Sequence, residues 1–136
     1  MSRDIETRML ELAQQYGRYK ANAYRFTFEA VRYTADRSYQ ATREIRHVTG
    51  SEVLEGIRQL ALRQFGFMAK TVFSEWGIRR TEDFGEIVFQ LVHEGILSKT
   101  EKDQPGDFAS GYDFDEAFVR NYDWLDRLGE PRANRA

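Results

Sequence analysis

Residues 48–57, VTGSEVLEGI, open the stretch whose reading decides the fold, and residues 91–96, LVHEGI, close it. Thr49 and Glu52 have capping-box spacing: the Thr49 hydroxyl can accept from the Glu52 amide while the Glu52 carboxylate reaches back to the Thr49 amide. Val48 and Val53 flank that box at hydrophobic-staple spacing. Apolar residues then recur at helical period through Leu54, Ile57, Leu60, Ala61, Leu62 and Phe65, until Gly66 stops the run. A second helix is predicted from about Met68 to Trp76 and a third from an N-cap at Thr81, with Phe84, Ile87, Val88, Leu91 and Val92 as its apolar stripe. Gly66-Phe67, Gly77-Ile78 and Gly95-Ile96 each pair a glycine with an apolar residue at a helix end. Glycine takes the left-handed conformation without steric cost, so each pair predicts a Schellman ending, with Phe67 on Leu62, Ile78 on Phe73 and Ile96 on Leu91. Gly56 and Gly85 fall inside helices and are read as points of close helix–helix contact.

Upstream, Ser2 to Tyr16 reads as an amphipathic helix with Ile5, Met9, Leu12, Ala13 and Tyr16 on one face, stopped by Gly17. A helix from about Lys20 to Asp36 carries Tyr19, Tyr24, Phe26, Phe28 and Tyr33 in or beside it. No single stripe holds these rings, so it is buried on more than one side or exposes some of them. Residues 38–47 are polar and basic and are expected to be a linker. Downstream of Gly95, residues 96–100 and 108–112 are predicted to pair as a β-hairpin around the turn signal Asp103-Gln104-Pro105-Gly106-Asp107. Asp113 to Glu116 then caps a final helix through Phe118, Tyr122 and Leu125, ahead of a polar tail.

The expected organisation is one domain: a helical hairpin over 1–37, a core over 48–113, a C-terminal helix over 114–129 and a flexible tail over 130–136. The chain has 136 residues and no cysteine, which excludes disulfides, thiolate metal sites and a cysteine nucleophile. No apolar run reaches membrane-spanning length, and Met1-Ser2-Arg3-Asp4 shows no signal-peptide pattern, so a cytoplasmic location without membrane contact is expected. The net charge of −2 conceals a division. Residues 1–80 hold 14 Lys and Arg against 9 Asp and Glu, whereas residues 81–136 hold 6 against 13. Such a chain either offers one face to an anionic and another to a cationic partner, or its halves attract each other within the fold.

The order helix, helix, helix, hairpin over residues 50–113 resembles a winged helix-turn-helix, with 82–94 as recognition helix and 101–108 as wing. That resemblance implies DNA binding by analogy alone. The charges disfavour it: the outer face of the third helix would show Glu82, Asp83, Glu86, Gln90, His93 and Glu94, which duplex phosphates repel. A winged-helix-like unit of this charge is expected to dock a protein, with Arg79, Arg80, Glu86, Gln90 and His93 as the candidate binding residues. Arg79 and Arg80 could grip a carboxylate or phosphate bidentately. The alternative is an RNA- or ribosome-associated protein using the basic aromatic segment 18–46, with Arg18, Arg25, Arg32, Arg43 and Arg46 interleaved among rings. A DNA-binding regulator is the third reading.

No nucleophile motif, phosphate loop, dinucleotide fingerprint or zinc pattern occurs, so no enzymatic activity and no cofactor are expected. The acidic residues Asp103, Asp107, Asp113, Asp115 and Glu116 lack calcium-loop spacing, and His47 and His93 stand without ligand-spaced partners, so no metal is expected either. An uncovered apolar face on the first helix would make the chain a homodimer rather than a monomer. The blocks Arg46-His47-Val48-Thr49-Gly50, Met68-Ala69-Lys70-Thr71-Val72 and Trp76-Gly77-Ile78-Arg79-Arg80 resemble a small family of bacterial conserved hypothetical proteins of planctomycete and verrucomicrobial type. So do Gly95-Ile96-Leu97-Ser98 and Tyr112-Asp113-Phe114-Asp115. The resemblance spans about Tyr24 to Phe118 and supplies no catalytic or binding residue.

Overall fold

A computed structural model describes residues 2–45, 48–98, 108 and 111–120. They form a mainly helical protein: α1 (Ser2–Tyr16), α2 (Ala21–Thr42), α3 (Gly50–Phe65), α4 (Ala69–Glu75) and α5 (Thr81–His93). A 3₁₀ turn (Gly66–Met68) joins α3 to α4, and a π-helical turn (Glu116–Arg120) follows Phe114. No described helix is long and apolar enough to cross a membrane.

The hub is α2, not the 48–96 stretch. It packs against α1, α3 and α5, and it buries Ala23, Tyr24, Phe26, Thr27, Ala30 and Thr34. Those small and aromatic residues cover more than one side, which lets three helices converge on it. Of the two outcomes foreseen for its rings the first occurs: Tyr19, Tyr24 and Phe26 are buried and Phe28 and Tyr33 partly buried, so none of the five is exposed. The helix also runs past Asp36. Residues 38–42, expected as linker, continue it because no Gly or Pro interrupts them. It ends at Arg43, in the left-handed conformation (φ 60°), whose amide donates to the Tyr39 carbonyl at 2.6 Å. Close approach of α3 depends on Gly56, since a methyl group there would strike the Thr34 side chain.

The Thr49 capping box is present, with Glu52 N donating to Thr49 Oγ1 at 3.2 Å and Thr49 N to Glu52 Oε1 at 2.8 Å. Schellman endings form at two of the three expected glycines. Gly77 (φ 93°) donates to Ser74 O at 3.1 Å and Ile78 to Phe73 O at 2.8 Å. Gly95 donates to Val92 O at 3.0 Å and Ile96 to Leu91 O at 2.9 Å. Gly66 behaves differently. Its amide bonds to Leu62 O, but with ψ −138° the chain enters the 3₁₀ turn at once, leaving Phe67 40% exposed.

The expected β-hairpin is not found: the described residues contain no strand. Ile96 and Leu97 are bends after α5, and Phe108 is buried in a 3₁₀ residue. The hairpin's other parts, residues 99–107 and 109–110, lie outside the described residues, as do residues 121–129 of the expected last helix and the tail. Phe108 and Gly111 are held from an unexpected side. Thr81, read as an N-cap, is instead the buried first residue of α5. Its hydroxyl donates to Phe108 O at 2.6 Å and accepts from Gly111 N at 3.0 Å.

An aromatic cluster fills the centre. The Phe73 ring has Phe26, Phe84, Phe114 and Phe118 at centroid distances of 5.1–5.6 Å, with Trp76 and Phe65 at its edge. Phe73, Phe84 and Phe118 are fully buried. Rings at these separations add pairwise stabilisation to the burial of their large apolar surfaces.

Candidate functional site

The polar side chains of α5 do not simply face water. They meet α1, α2 and the 17–20 turn along a seam. At the start of α5, Asp83 is 4% exposed, although its register had placed it on the outer face. Its Oδ2 accepts from the amides of Arg79 (2.8 Å) and Arg80 (3.2 Å), capping the helix with a negative charge where the dipole favours one. Its Oδ1 accepts from the Tyr19 hydroxyl and from Arg18, each at 3.0 Å. One turn on, Glu86 also takes a hydrogen bond from Tyr19 and an ion pair from Arg18 at 3.2 Å. Gln90 accepts from the Tyr24 hydroxyl. At the C-terminal end, Glu94 receives Arg8 on both its carboxylate and its carbonyl at 3.1 Å, and Tyr16 at 3.4 Å.

The acidic and basic halves of the sequence therefore neutralise each other here, and a further pair, Lys70 with Asp115, ties α4 to the C-terminal turn. Burial foremost, helped by the Glu86 and Asp83 carboxylates, raises the Tyr19 pKa; burial with the nearby Tyr16 and Glu86 pushes Tyr24 up to about 12. Both phenols stay protonated donors at neutral pH. The hydrogen bond with His93 chiefly holds the Glu94 carboxyl below its ordinary value; burial opposes this, and the Gln15 hydrogen bond and the charges of His93 and Arg8 add to it.

Next to this seam lies an open cleft of about 590 Å³, lined by Tyr16, Glu86, Phe89, Gln90, Val92 and His93. Phe89 and Val92 are half-buried apolar residues that stand outside the central cluster, and they form its floor. Glu86, Gln90 and His93 form its rim, and the His93 side chain is 78% exposed. Three of the five residues expected to bind a protein thus come together. The other two, Arg79 and Arg80, sit at the opposite end of α5 in a separate depression with Glu82, Tyr112 and Asp113. Sequence reading missed Phe89 and Tyr16. The available signal was that Phe89 falls outside the stripe Phe84, Ile87, Val88, Leu91, Val92, a large ring with no place in the core.

The residues expected to bind nucleic acid divide as well. Arg18 is taken by Asp83 and Glu86, and Arg25 by Glu6 at 2.7 Å. Arg32 and Arg43 are exposed, and Arg46 lies outside the described residues, as does His47. A second cavity of about 240 Å³ between α2, α3 and α5 is walled by Val31, Ala35, Val53, Val88, Leu97 and Phe108 among others, with no ionisable side chain. Among the described residues no group of three His, Cys, Asp or Glu is placed to hold a metal ion. Asp103 and Asp107 are outside them. Asp113 caps the turn after it by accepting from Glu116 N at 3.1 Å. The chain matches no family model, no curated protein and no solved structure.

Proposed function

We propose that this chain is a non-enzymatic adaptor domain that docks a protein partner in the cleft on α5. The observation that carries this reading is the placement of Phe89 and Val92. Both are apolar, neither joins the central cluster, and together they floor a depression with a polar rim. Apolar groups left out of the core and ringed by polar ones mark an interaction surface. The rim is also held in place. Tyr24 fixes Gln90 and Tyr19 fixes Glu86, so little side-chain freedom is lost when a partner arrives. Docking uses α5, the last helix of the 48–96 stretch. Carboxylates on that helix disfavour a DNA duplex there. The partner segment best matched to the cleft presents an apolar side chain for Phe89 with a lysine or arginine beside it for Glu86.

Selection from a displayed random-peptide library tests this. Enriched peptides should share an apolar–basic pattern and should lose at least tenfold in affinity against Phe89→Asp, whose helical content stays intact. Failure to enrich, or peptides that bind Phe89→Asp equally well, would break the proposal.

A further inference from the structure

The cavity between α2, α3 and α5 is a candidate site of another kind. Its volume is about 240 Å³, and five valines line it: Val31, Val48, Val53, Val88 and Val92. A β-branched side chain on a helix has one strongly preferred χ1, so Val31, Val53, Val88 and Val92 stand fixed and do not swing in to fill the space. Phe108 also lines the cavity and is fixed from two sides. Its carbonyl accepts from Thr81 Oγ1 at 2.6 Å, and a methyl group at Gly85 would stand only 2.8 Å from its Cβ. Protein interiors hold few voids larger than a water molecule, so a cavity of this size between stiff walls calls for an occupant.

The lining defines the chemistry of that occupant. Among the described residues it contains no ionisable side chain, and a charge buried without a partner is strongly disfavoured, so the occupant is uncharged. Water fits poorly, because a buried water needs several polar partners and Ser98 is the one polar side chain among the described lining residues. Ser98 is exposed, so the cavity meets solvent beside it, and its hydroxyl can donate to or accept from one polar group there. An apolar cavity of about 150 Å³ takes up a benzene ring. A volume of about 240 Å³ therefore suits one ring with small substituents and is too small for a long acyl chain or a nucleotide. A ring is favoured over an aliphatic chain of similar size, because it has no rotamer freedom to lose and Phe108 offers it an aromatic neighbour.

We propose that this cavity binds one small, uncharged, single-ring aromatic molecule of phenol type, its ring among the valines and its polar substituent at Ser98. This goes beyond peptide docking and does not rest on it, although Val92 borders both the cavity and the cleft.

Isothermal titration calorimetry of the full chain with p-cresol tests it, with benzoate and 3-methyl-1-butanol as comparators. At about pH 7 a phenol keeps its proton, and p-cresol should bind one to one with a Kd of about 0.1 mM. Benzoate, which is charged, should not bind, and the alcohol should bind about threefold more weakly or worse. Ala35→Leu fills the cavity from α2 and should weaken p-cresol about tenfold or more. Should that variant not fold, Val31→Ala decides: it enlarges the cavity and should shift preference from p-cresol toward the bulkier thymol by about tenfold. Absence of p-cresol binding at millimolar concentration, equal affinity for benzoate or the alcohol, or an affinity unmoved by Ala35→Leu overturns the proposal, as does an unchanged preference in Val31→Ala. Phe89→Asp should bind p-cresol as the wild type does, and loss of binding there would put the probe in the cleft and overturn the cavity. A chain that binds p-cresol but enriches no peptide breaks the cleft alone, so the two failures are read separately.

Discussion

The cluster around Phe73 and the tyrosine–carboxylate seam both fasten α5 to the rest of the molecule, but by different physics. The cluster is made of rings: Phe26 from α2, Phe84 from α5, Phe114 and Phe118 from the C-terminal turn, all against Phe73. Its stabilisation scales with apolar area and has little directional demand. The seam is made of hydroxyls, guanidiniums and carboxylates whose hydrogen bonds have fixed partners: Tyr19 with Asp83 and Glu86, Tyr24 with Gln90, Arg8 with Glu94. Each such bond adds little net stability, but a buried member left alone is expensive. The cluster therefore decides whether α5 is bound at all, and the seam decides how it is rotated and which residues it presents to the cleft.

Three substitutions sharpen that contrast. Phe73→Ala should have the largest effect, a loss of about 4 kcal/mol in denaturant unfolding, because a fully buried ring is removed from among four others. A loss under about 1 kcal/mol would show that the cluster is not the fastening element. Asp83→Ala comes next, at about 3 kcal/mol. It deletes the acceptor of two backbone amides and leaves the Tyr19 hydroxyl with Glu86 alone.

Tyr24→Phe should cost least, about 1 kcal/mol at pH 7, by stranding Gln90 Oε1. Its distinguishing effect is on pH dependence. The Tyr24 pKa is raised in the folded protein from 10 to about 12, so its stabilising contribution is complete below pH 10 and is lost as pH rises through 12. Tyr19 and Tyr112 are shifted in the same direction, both chiefly by burial. The wild type should therefore unfold in alkali between pH 10 and 12, with tyrosinate absorbance and loss of helix rising together. Tyr24→Phe should show a shallower fall over that window. Titration of Tyr19 and Tyr24 near pH 10 while the helices persist would contradict the seam.

What the sequence made legible follows the range of each interaction. The Thr49–Glu52 box and the endings at Gly77 and Gly95 depend on residues within five positions of one another, and each was readable as a spacing. The apolar stripe of α5 was readable for the same reason, through Phe84, Ile87 and Leu91. The length of α2 was not, because nothing local marks Arg43 as a left-handed cap. Nor was the fate of the acidic face of α5. Its register placed Asp83 outward, and only the arrival of Arg18 and Tyr19 from 64–65 residues away turns it into a buried cap. Hairpin spacing over 96–112 likewise said nothing of Thr81, which claims Phe108 and Gly111 from across the fold. Of the candidate residues, Glu86, Gln90 and His93 were placed on one face by register, whereas the pairing of Arg18 and Arg25 could be read only in three dimensions.

The seam has a consequence for the order of events at the ribosome. Tyr19 and Arg18 leave the exit tunnel 64–65 residues before Asp83, and Arg8 leaves 86 residues before Glu94. At ordinary elongation speeds that is a wait of about 3–17 s. Throughout it the nascent α1–α2 hairpin shows its phenols and cations unanswered. Translational pauses placed before codon 83 would prolong that interval, and nascent chains stalled there should be the species most readily captured by chaperones.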